Sequence, residues 1–257
     1  MVKTLIFVIS ALLMFLFTSC GNEQEQPAAE GSESQPGLLI FSKTEGWRHD
    51  SIEAGKKAIA NKAELNQVKV TATEDADYFT EENLASYKAV IFLNTTGTLF
   101  DATRREALKS FIRGGGGFVG VHSATDTEYE WPWYGELVGT RFDNHPNDPN
   151  VREATVIVSD PDHPSTQSLP ERWHREDEWY NFRDHPEDVH VLLEMDTDSY
   201  EGSDHPGNHP IAWYHEFEGG RVFYTALGHT EESYAEQQFM DHLWGGIAYA
   251  MDIDQDF

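Results

Sequence analysis

Cysteine is almost absent from this chain: Cys20 is the only one among its 257 residues. A single cysteine cannot form a disulfide within the chain, and its place in the leader described below excludes a cysteine nucleophile. The folded part must therefore rely on its apolar core. The 7 Trp, 10 Tyr and 15 Phe are sufficient for such a core and exclude a disordered chain.

Basic residues are also scarce. The chain has 18 Lys and Arg against 45 Asp and Glu, which gives a formal net charge of −27 at pH 7. This charge repels phosphate, and no stretch is basic enough to form a phosphate-binding stripe. The composition therefore excludes a general nucleic-acid binder. Histidine, in contrast, is abundant, with 12 residues.

The longest apolar run is short and lies near the N-terminus, from Leu5 to Phe17. A bilayer span needs about 20 apolar residues, so the run suits the central region of a signal peptide instead. Lys3 precedes it and Cys20 follows it, and residues 1–20 resemble a bacterial lipoprotein signal peptide whose Cys20 becomes lipidated. An ordinary secretory signal with an incidental cysteine is the alternative. Both interpretations predict an exported protein.

Residues 21–36 (GNEQEQPAAEGSESQP) contain no large apolar side chain and predict a flexible polar tether. Together with the leader, this tether predicts a domain in the bacterial cell envelope that contacts the membrane only through its lipid anchor. Residues 37–252 are then expected to form one domain.

The first half of that domain alternates buried apolar runs with amphipathic helices, which predicts a doubly wound α/β fold with a mainly parallel sheet. Strands are expected at 37–42, 68–73, 89–94 and 118–122, with helices at 49–65, 80–84 and 101–113. The second half predicts extra strands at 151–158, 189–195, 210–217 and 221–227, and a closing helix at 235–251.

Three histidines follow predicted strands: His49, His122 and His229. Sites in open α/β sheets form outside the carboxyl ends of the strands, so these side chains are expected to converge. Trp47 lies beside the first, and Thr125 and Asp126 follow the second. We expect all three of these neighbours to bind substrate.

Two further site residues are expected from loops, His145 and Glu178, with Trp179 next to the carboxylate as a substrate-binding residue. Imidazoles and a carboxylate suit either acid/base catalysis or a divalent metal such as Zn²⁺, and the spacing does not decide between them. Candidate catalytic residues are His49, His122, His145 and Glu178. If a metal binds, His122 and His229 are its expected ligands and Glu178 is left free as the base.

Two further features of the sequence concern serine and histidine residues. Gly120 to Ala124 (GVHSA) has the outline of a nucleophile elbow, but histidine occupies the nucleophile position, which disfavours a serine hydrolase. Five histidines precede proline and therefore lie in extended or loop segments. His163, His185 and His205 are expected to be solvated, whereas His145 and His209 are better site candidates.

Several separate motifs agree in order with one family: LLIFSKTEGWRHDSI, GGGGFVGVHSATDT, EDEWYNF, HPIAWYHEFEGGRVFYTALGHT and FMDHLWGGIAYA. Together they resemble the ThuA-like (trehalose-utilisation) family over about residues 38–252. The resemblance implies a flavodoxin-like fold similar to that of class I glutamine amidotransferases. Those enzymes carry a catalytic cysteine where this chain has His122, so amidotransferase chemistry is not implied.

The family resemblance implies a role in sugar catabolism, on 3-keto-glycosides made by partner sugar oxidoreductases. A 3-keto group acidifies the C2 proton, so a base can expel the glycosidic oxygen by elimination while a bound metal polarises the ketone. Four tryptophans are candidates to stack on sugar rings or to pack in the core: Trp47, Trp131, Trp133 and Trp179. The alternative function is a non-catalytic carbohydrate-binding lipoprotein.

The lipid anchor makes a direct prediction. Replacing Cys20 with Ala removes the residue that carries the lipid, so the variant should leave the membrane fraction and appear in the soluble fraction of fractionated cells. Retention of the Cys20→Ala variant in the membrane would show that something else anchors the protein.

Overall fold

The computed structural model describes residues 35–253, so the predicted leader and nearly all of the predicted tether lie outside the described residues. Within 35–253, no helix combines the length and the apolar character that crossing a bilayer requires.

The centre of the fold is a nine-stranded sheet. Its first half consists of parallel strands: β1 (Gly37–Phe41), β2 (Lys69–Thr73), β3 (Ala89–Leu93) and β4 (Gly117–Val121). The helices that alternate with them are α1 (Ile52–Leu65), α2 (Glu81–Leu84) and α3 (Ala102–Arg113). Strands β1, β3 and β4 are buried along their whole length, as expected where both faces of a parallel sheet are covered.

The second half adds strands that are mostly antiparallel. After α4 (Pro132–Val138) come β5 (Phe142–Asn144), β6 (Val151–Val158), β7 (Arg172–Glu178), β8 (Asn181–Phe182), β9 (His190–Met195), β10 (Pro210–Phe217) and β11 (Gly220–Thr225), and α5 (Gln237–Met251) closes the chain. The sheet order is β2-β1-β3-β4-β11-β10-β9-β6-β7, and β5 pairs separately with β8. The predicted flavodoxin-like α/β class, with extra strands in the second half, is confirmed.

Local signals explain the helix starts. Asp101 caps α3 by accepting a hydrogen bond from the backbone N–H of Arg104 at 2.9 Å, and Thr80 caps α2 through the N–H of Asn83 at 3.2 Å. Such caps satisfy backbone donors that the helix itself leaves unpaired. The amphipathic pattern behind each cap then packs its apolar stripe on the sheet.

Strand β7 corrects the expectation that Glu178 lies in a loop, because Glu178 is the last residue of this strand. The strand alternates exposed Arg172, His174 and Glu176 with buried Trp173 and the buried charged side chains Arg175 and Asp177. Arg175 and Asp177 can be buried because they pair with each other at 3.0 Å. Their charge hides the two-residue period of the strand in the sequence, since apolar residues are expected at its inward positions. The short elements α4, β5 and β8 were also missed.

The direction of β7 determines where its last residue lies. Strand β11 is parallel to β4, and each step from β11 through β10, β9 and β6 to β7 is antiparallel, so β7 points the same way as β4. In a flat sheet these five steps would separate the two strands by about 24 Å. Yet Glu178, at the end of β7, lies 3.3 Å from His122, which follows β4. The sheet must therefore coil strongly, and the register shifts between β9 and β10 are features that increase such twist.

Helix α5 packs on the sheet with almost no clearance. A Cβ built on Gly246 would lie 2.3 Å from the Phe223 ring on β11. Only glycine allows the helix to approach this closely, which places α5 directly over the strands that carry the site.

Replacing Gly246 with Ala should lower the free energy of unfolding by about 1–2 kcal/mol, because overpacking against Phe223 costs up to about 3 kcal/mol and outweighs the helix-propensity gain of about 1 kcal/mol. Chemical denaturation measures this. Gln238→Ala, at an exposed position of the same helix, is the control and should change stability by no more than about 0.5 kcal/mol. A Gly246→Ala variant as stable as the native protein would contradict the packing argument.

Candidate active site

The site is built at the carboxyl edge of the sheet, where β4 and β11 end side by side. His122 directly follows β4 and has a φ of 50°, a left-handed conformation that turns the chain sharply into a short 3₁₀ helix, His122–Asp126. Gly228, with a φ of 105°, turns the chain after β11 and leads into His229. His49 lies in the loop between β1 and α1 and is buried. Three strand ends thus each contribute one imidazole.

The orientation of His122 is determined by its backbone partner. Its Nδ1 lies 2.7 Å from the carbonyl oxygen of Ala226, so Nδ1 carries the proton and donates it. Nε2 lies 3.3 Å from both Oε2 of Glu178 and Nδ1 of His229, so it offers a lone pair to a metal in the neutral ring and donates to Glu178 in the protonated ring. The ring of Tyr180 packs against the imidazole with centroids 4.1 Å apart. His122 is therefore held in one tautomer and one orientation.

Glu178 is the centre of the cluster. Its Oε2 lies 3.0 Å from Nδ1 of His229 and 3.3 Å from Nε2 of His122. Its Oε1 lies 3.4 Å from Nε2 of His145 and accepts a hydrogen bond from the Asn150 amide at 2.8 Å. Only 4% of its side chain is exposed, so these neighbours replace the water that a buried carboxylate loses.

Interactions within the cluster shift the pKa values of its own side chains. Burial alone would raise the pKa of Glu178, but the hydrogen bonds and charges of His122 and His229 outweigh burial and hold that pKa well below its usual range. Burial opposes the charged form of His229, yet the hydrogen bond and charge of Glu178 raise the pKa of that imidazole. Burial, reinforced by the neighbouring imidazoles, lowers the pKa of His49 to about 2 and keeps it neutral.

Four side chains of this cluster can hold a metal ion. One ligand atom from each of His49, His122, Glu178 and His229 lies within 4.8 Å of the others. Three imidazoles and one carboxylate are a donor set that suits Zn²⁺ and related divalent ions. His49 and Glu178 are thus potential ligands in addition to His122 and His229, the two expected from the sequence. Glu178 lies among the potential ligands instead of standing apart as a free base.

His49, Glu178 and His229 form the floor of an open cavity of about 750 Å³, and His122 is buried behind them. Trp47, Asp126 and His145 line the same cavity. The hydroxyl of Tyr129 donates to one oxygen of Asp126 at 2.8 Å, while burial raises the pKa of that carboxyl. Trp47 is 73% exposed, so one aromatic face stands free at the mouth.

Two residues expected to bind substrate do not line the cavity. Thr125 is fully buried, and its hydroxyl lies 3.1 Å from the hydroxyl of Tyr224. Trp179 is buried in the core and donates from its indole to the carbonyl of Arg152. Both residues belong to buried segments that flank the site, so their side chains pack in the core instead of reaching the cavity.

Two further tryptophans and two further histidines named as candidates or loop residues are also structural. Trp131 and Trp133 stack on each other at 5.0 Å, away from the residues that line the cavity. His163, expected to be solvated, is buried against Tyr214 and lies 2.8 Å from the Ser165 hydroxyl. His209 is buried at the start of β10, with Nε2 2.8 Å from the Tyr180 carbonyl oxygen.

Sequence reasoning missed Asp177 as a site residue. Its buried carboxylate accepts hydrogen bonds from the backbone N–H groups of Gly228 and His229, at 3.0 and 3.1 Å, and pairs with Arg175. It therefore fixes the turn that presents His229 to Glu178. The alternation of β7 was the signal that could have identified it, because Asp177 lies on the inward face while Glu176 lies outside.

A flavodoxin-like α/β protein with a buried histidine–carboxylate centre at its carboxyl edge is the class that the fold and site define. The family model for ThuA, described as trehalose utilisation, matches residues 37–250. The chain therefore belongs to the ThuA family.

Solved structures agree with this assignment of the fold. A ThuA-like protein from Bacteroides uniformis ATCC 8492 is 23% identical with a TM-score of 0.71, over 88% of this chain and 95% of that one. A ThuA-like protein from Parabacteroides merdae ATCC 43184 is 16% identical with a TM-score of 0.66, over 87% and 92%. A β-galactosidase from Bacillus circulans is 14% identical with a TM-score of 0.55, over 86% of this chain but 32% of the enzyme. No curated protein matches the chain significantly.

Replacing Asp177 with Ala should lower the free energy of unfolding by about 2–4 kcal/mol, because it leaves the backbone N–H groups of Gly228 and His229 without their acceptor and the buried guanidinium of Arg175 with only Glu236 as an ionic partner. Denaturant unfolding followed by circular dichroism measures the change. The adjacent Glu176→Ala variant removes an equal charge from the exposed face of β7 and should be nearly neutral. Equal stabilities for the two variants would contradict the role assigned to Asp177.

Proposed function

We propose that this protein is a metal-dependent enzyme of carbohydrate catabolism that cleaves keto-glycosides of the 3-keto type. The observation that carries the proposal is the buried carboxylate of Glu178, held within 3.4 Å of imidazole nitrogens from His122, His145 and His229. The family match to trehalose utilisation supports a carbohydrate substrate.

The cluster favours an enzyme over a non-catalytic sugar binder. A binder recognises sugar hydroxyls with partly exposed polar groups and aromatic faces, and gains nothing from a desolvated carboxylate among three imidazoles. Burying such groups costs free energy unless they are paired, and perturbed ionisable groups of this kind concentrate at catalytic centres. Glu178 and His229 have oppositely shifted pKa values at the floor of the cavity.

A divalent ion such as Zn²⁺, bound by His49, His122, Glu178 and His229, would polarise the ketone oxygen of the substrate. The fit rests on the donor set and on the tautomer of His122, whose Nδ1–H···O=C hydrogen bond aims Nε2 inward. This backbone hydrogen bond is the support that metal-ligating histidines use to fix their orientation.

His145 is the side chain that we assign as the base. It lines the cavity, it lies outside the group of four potential ligands, and 26% of its side chain is exposed. It would accept the C2 proton next to the ketone, a C1–C2 double bond would form as the C1–oxygen bond breaks, and the departing oxygen would take that proton from the His145 imidazolium. Asp126, which lines the same cavity, would bind a sugar hydroxyl.

The proposed substrate class requires that an oxidation reaction precede the reaction of this protein. A 3-keto-glycoside arises when a sugar oxidoreductase oxidises the C3 hydroxyl, so such an enzyme is the expected functional partner. The leader and Cys20 predict that cleavage takes place in the cell envelope.

Metal content and turnover test the proposal together. Full-length protein should bind about one divalent ion and cleave a 3-keto-glucoside, and chelation should abolish turnover. Glu178→Gln and His145→Ala should each lower kcat/KM by about 10²–10⁴-fold, because the first removes a ligand of the metal and the second removes the base. His174→Ala, which alters an exposed histidine of β7, is the control and should retain activity.

Two outcomes would contradict the proposal. Sugar binding with no turnover under any metal condition would identify the protein as a carbohydrate-binding lipoprotein. Full activity of both site variants would place the chemistry elsewhere in the chain.

A further inference from the structure

The rim of the cavity is acidic. Five carboxylate residues line the cavity, including Glu178 at its floor and Asp126 on its wall, and the other three lie at the mouth: Asp50, Glu231 and Glu232. Within residues 35–253, no Lys or Arg side chain lines this cavity. A divalent ion at the floor would still leave the lining net negative.

The three mouth carboxylates also form no ion pair with Lys or Arg among residues 35–253. Within the described part of the chain, none of Asp50, Glu231 and Glu232 lies within ion-pair distance of Lys or Arg. The nearest arginine in the sequence, Arg48, pairs instead with Glu74 and Glu53, at 2.9 and 3.1 Å. No Lys or Arg of the described residues therefore neutralises the negative charge at the mouth.

An exposed aromatic platform stands beside these carboxylates. The backbone around Trp47 is held by Thr96, whose hydroxyl donates to the Trp47 carbonyl at 3.0 Å and accepts from the N–H of Gly46 at 3.1 Å. The Glu45 N–H also donates to the Thr96 carbonyl at 2.8 Å. The indole is thus exposed on a fixed loop, an arrangement suited to stacking against a sugar or aglycone ring.

We propose that the cavity selects uncharged glycosides and rejects anionic ones such as uronides and phosphorylated sugars, with Asp50, Glu231 and Glu232 as the specificity-determining residues. This inference rests on the proposed function and specifies its substrate class. A negative group about 8 Å from three carboxylates is disfavoured by about tenfold even in watery surroundings. Neutral sugars escape this penalty and gain hydrogen bonds to the same carboxylates.

Binding of unoxidised glycosides tests the selection without requiring turnover. Ligand-observed NMR with the full-length protein should give a Kd for methyl β-glucuronide at least tenfold weaker than for methyl β-glucoside. The double variant Glu231→Gln/Glu232→Gln should narrow that ratio to about threefold or less. Glu64→Gln/Glu153→Gln changes the net charge equally at exposed positions outside the cavity and should leave the ratio unchanged. Added salt should narrow the native ratio, because exposed charges are screened.

Equal affinities for the two glycosides, binding of neither, or an equal effect of the two double variants would each overturn the inference. The two proposals fail separately. A preference for the neutral glycoside without turnover of its 3-keto derivative contradicts only the proposed function. Turnover of neutral and anionic 3-keto-glycosides with equal kcat/KM contradicts only the selection at the rim.

Discussion

The carboxylate of Glu178, buried between imidazoles, is the constraint on which the rest of the site depends. A desolvated carboxylate is tolerated only if donors surround it, and here His122, His145, His229 and Asn150 supply them. These donors come from three segments: the turn after β4, the loop between β5 and β6, and the turn after β11. The chain must therefore bring the ends of distant strands and two loops to one point, and the coiling of the sheet follows from that requirement.

The parallel and the antiparallel half of the fold both position side chains of the cluster. The parallel half presents His49 and His122 at the carboxyl edge, where strand-end side chains of doubly wound sheets meet. The antiparallel extension brings Glu178 back over the same edge, and Asp177, one residue earlier, fixes the turn that carries His229. Two neighbouring residues of β7 thus act on the same imidazole, because Asp177 orients His229 and Glu178 pairs with it.

The parallel half was predictable because β1, β3 and β4 are continuous apolar runs, and because α2 and α3 begin at recognisable caps. The convergence of the strand-end histidines was predictable from the crevice rule alone. Strand β7 was not, because Arg175 and Asp177 occupy inward positions and mask its period. Nor could sequence distinguish the exposed Trp47 from the buried Trp179, since that difference depends on which loop lies outside the core.

The central claim is that the histidine–carboxylate cluster is a metal centre, and anomalous diffraction tests it most directly. Crystals grown with Zn²⁺ and measured at the zinc absorption edge should show one strong peak, with Nε2 of His122, Nδ1 of His229 and Oε2 of Glu178 at about 2.0–2.2 Å from it. Crystals of Glu178→Gln should lose most of that peak. A native crystal with no peak at the cluster, or with zinc bound only elsewhere on the chain, would contradict the account.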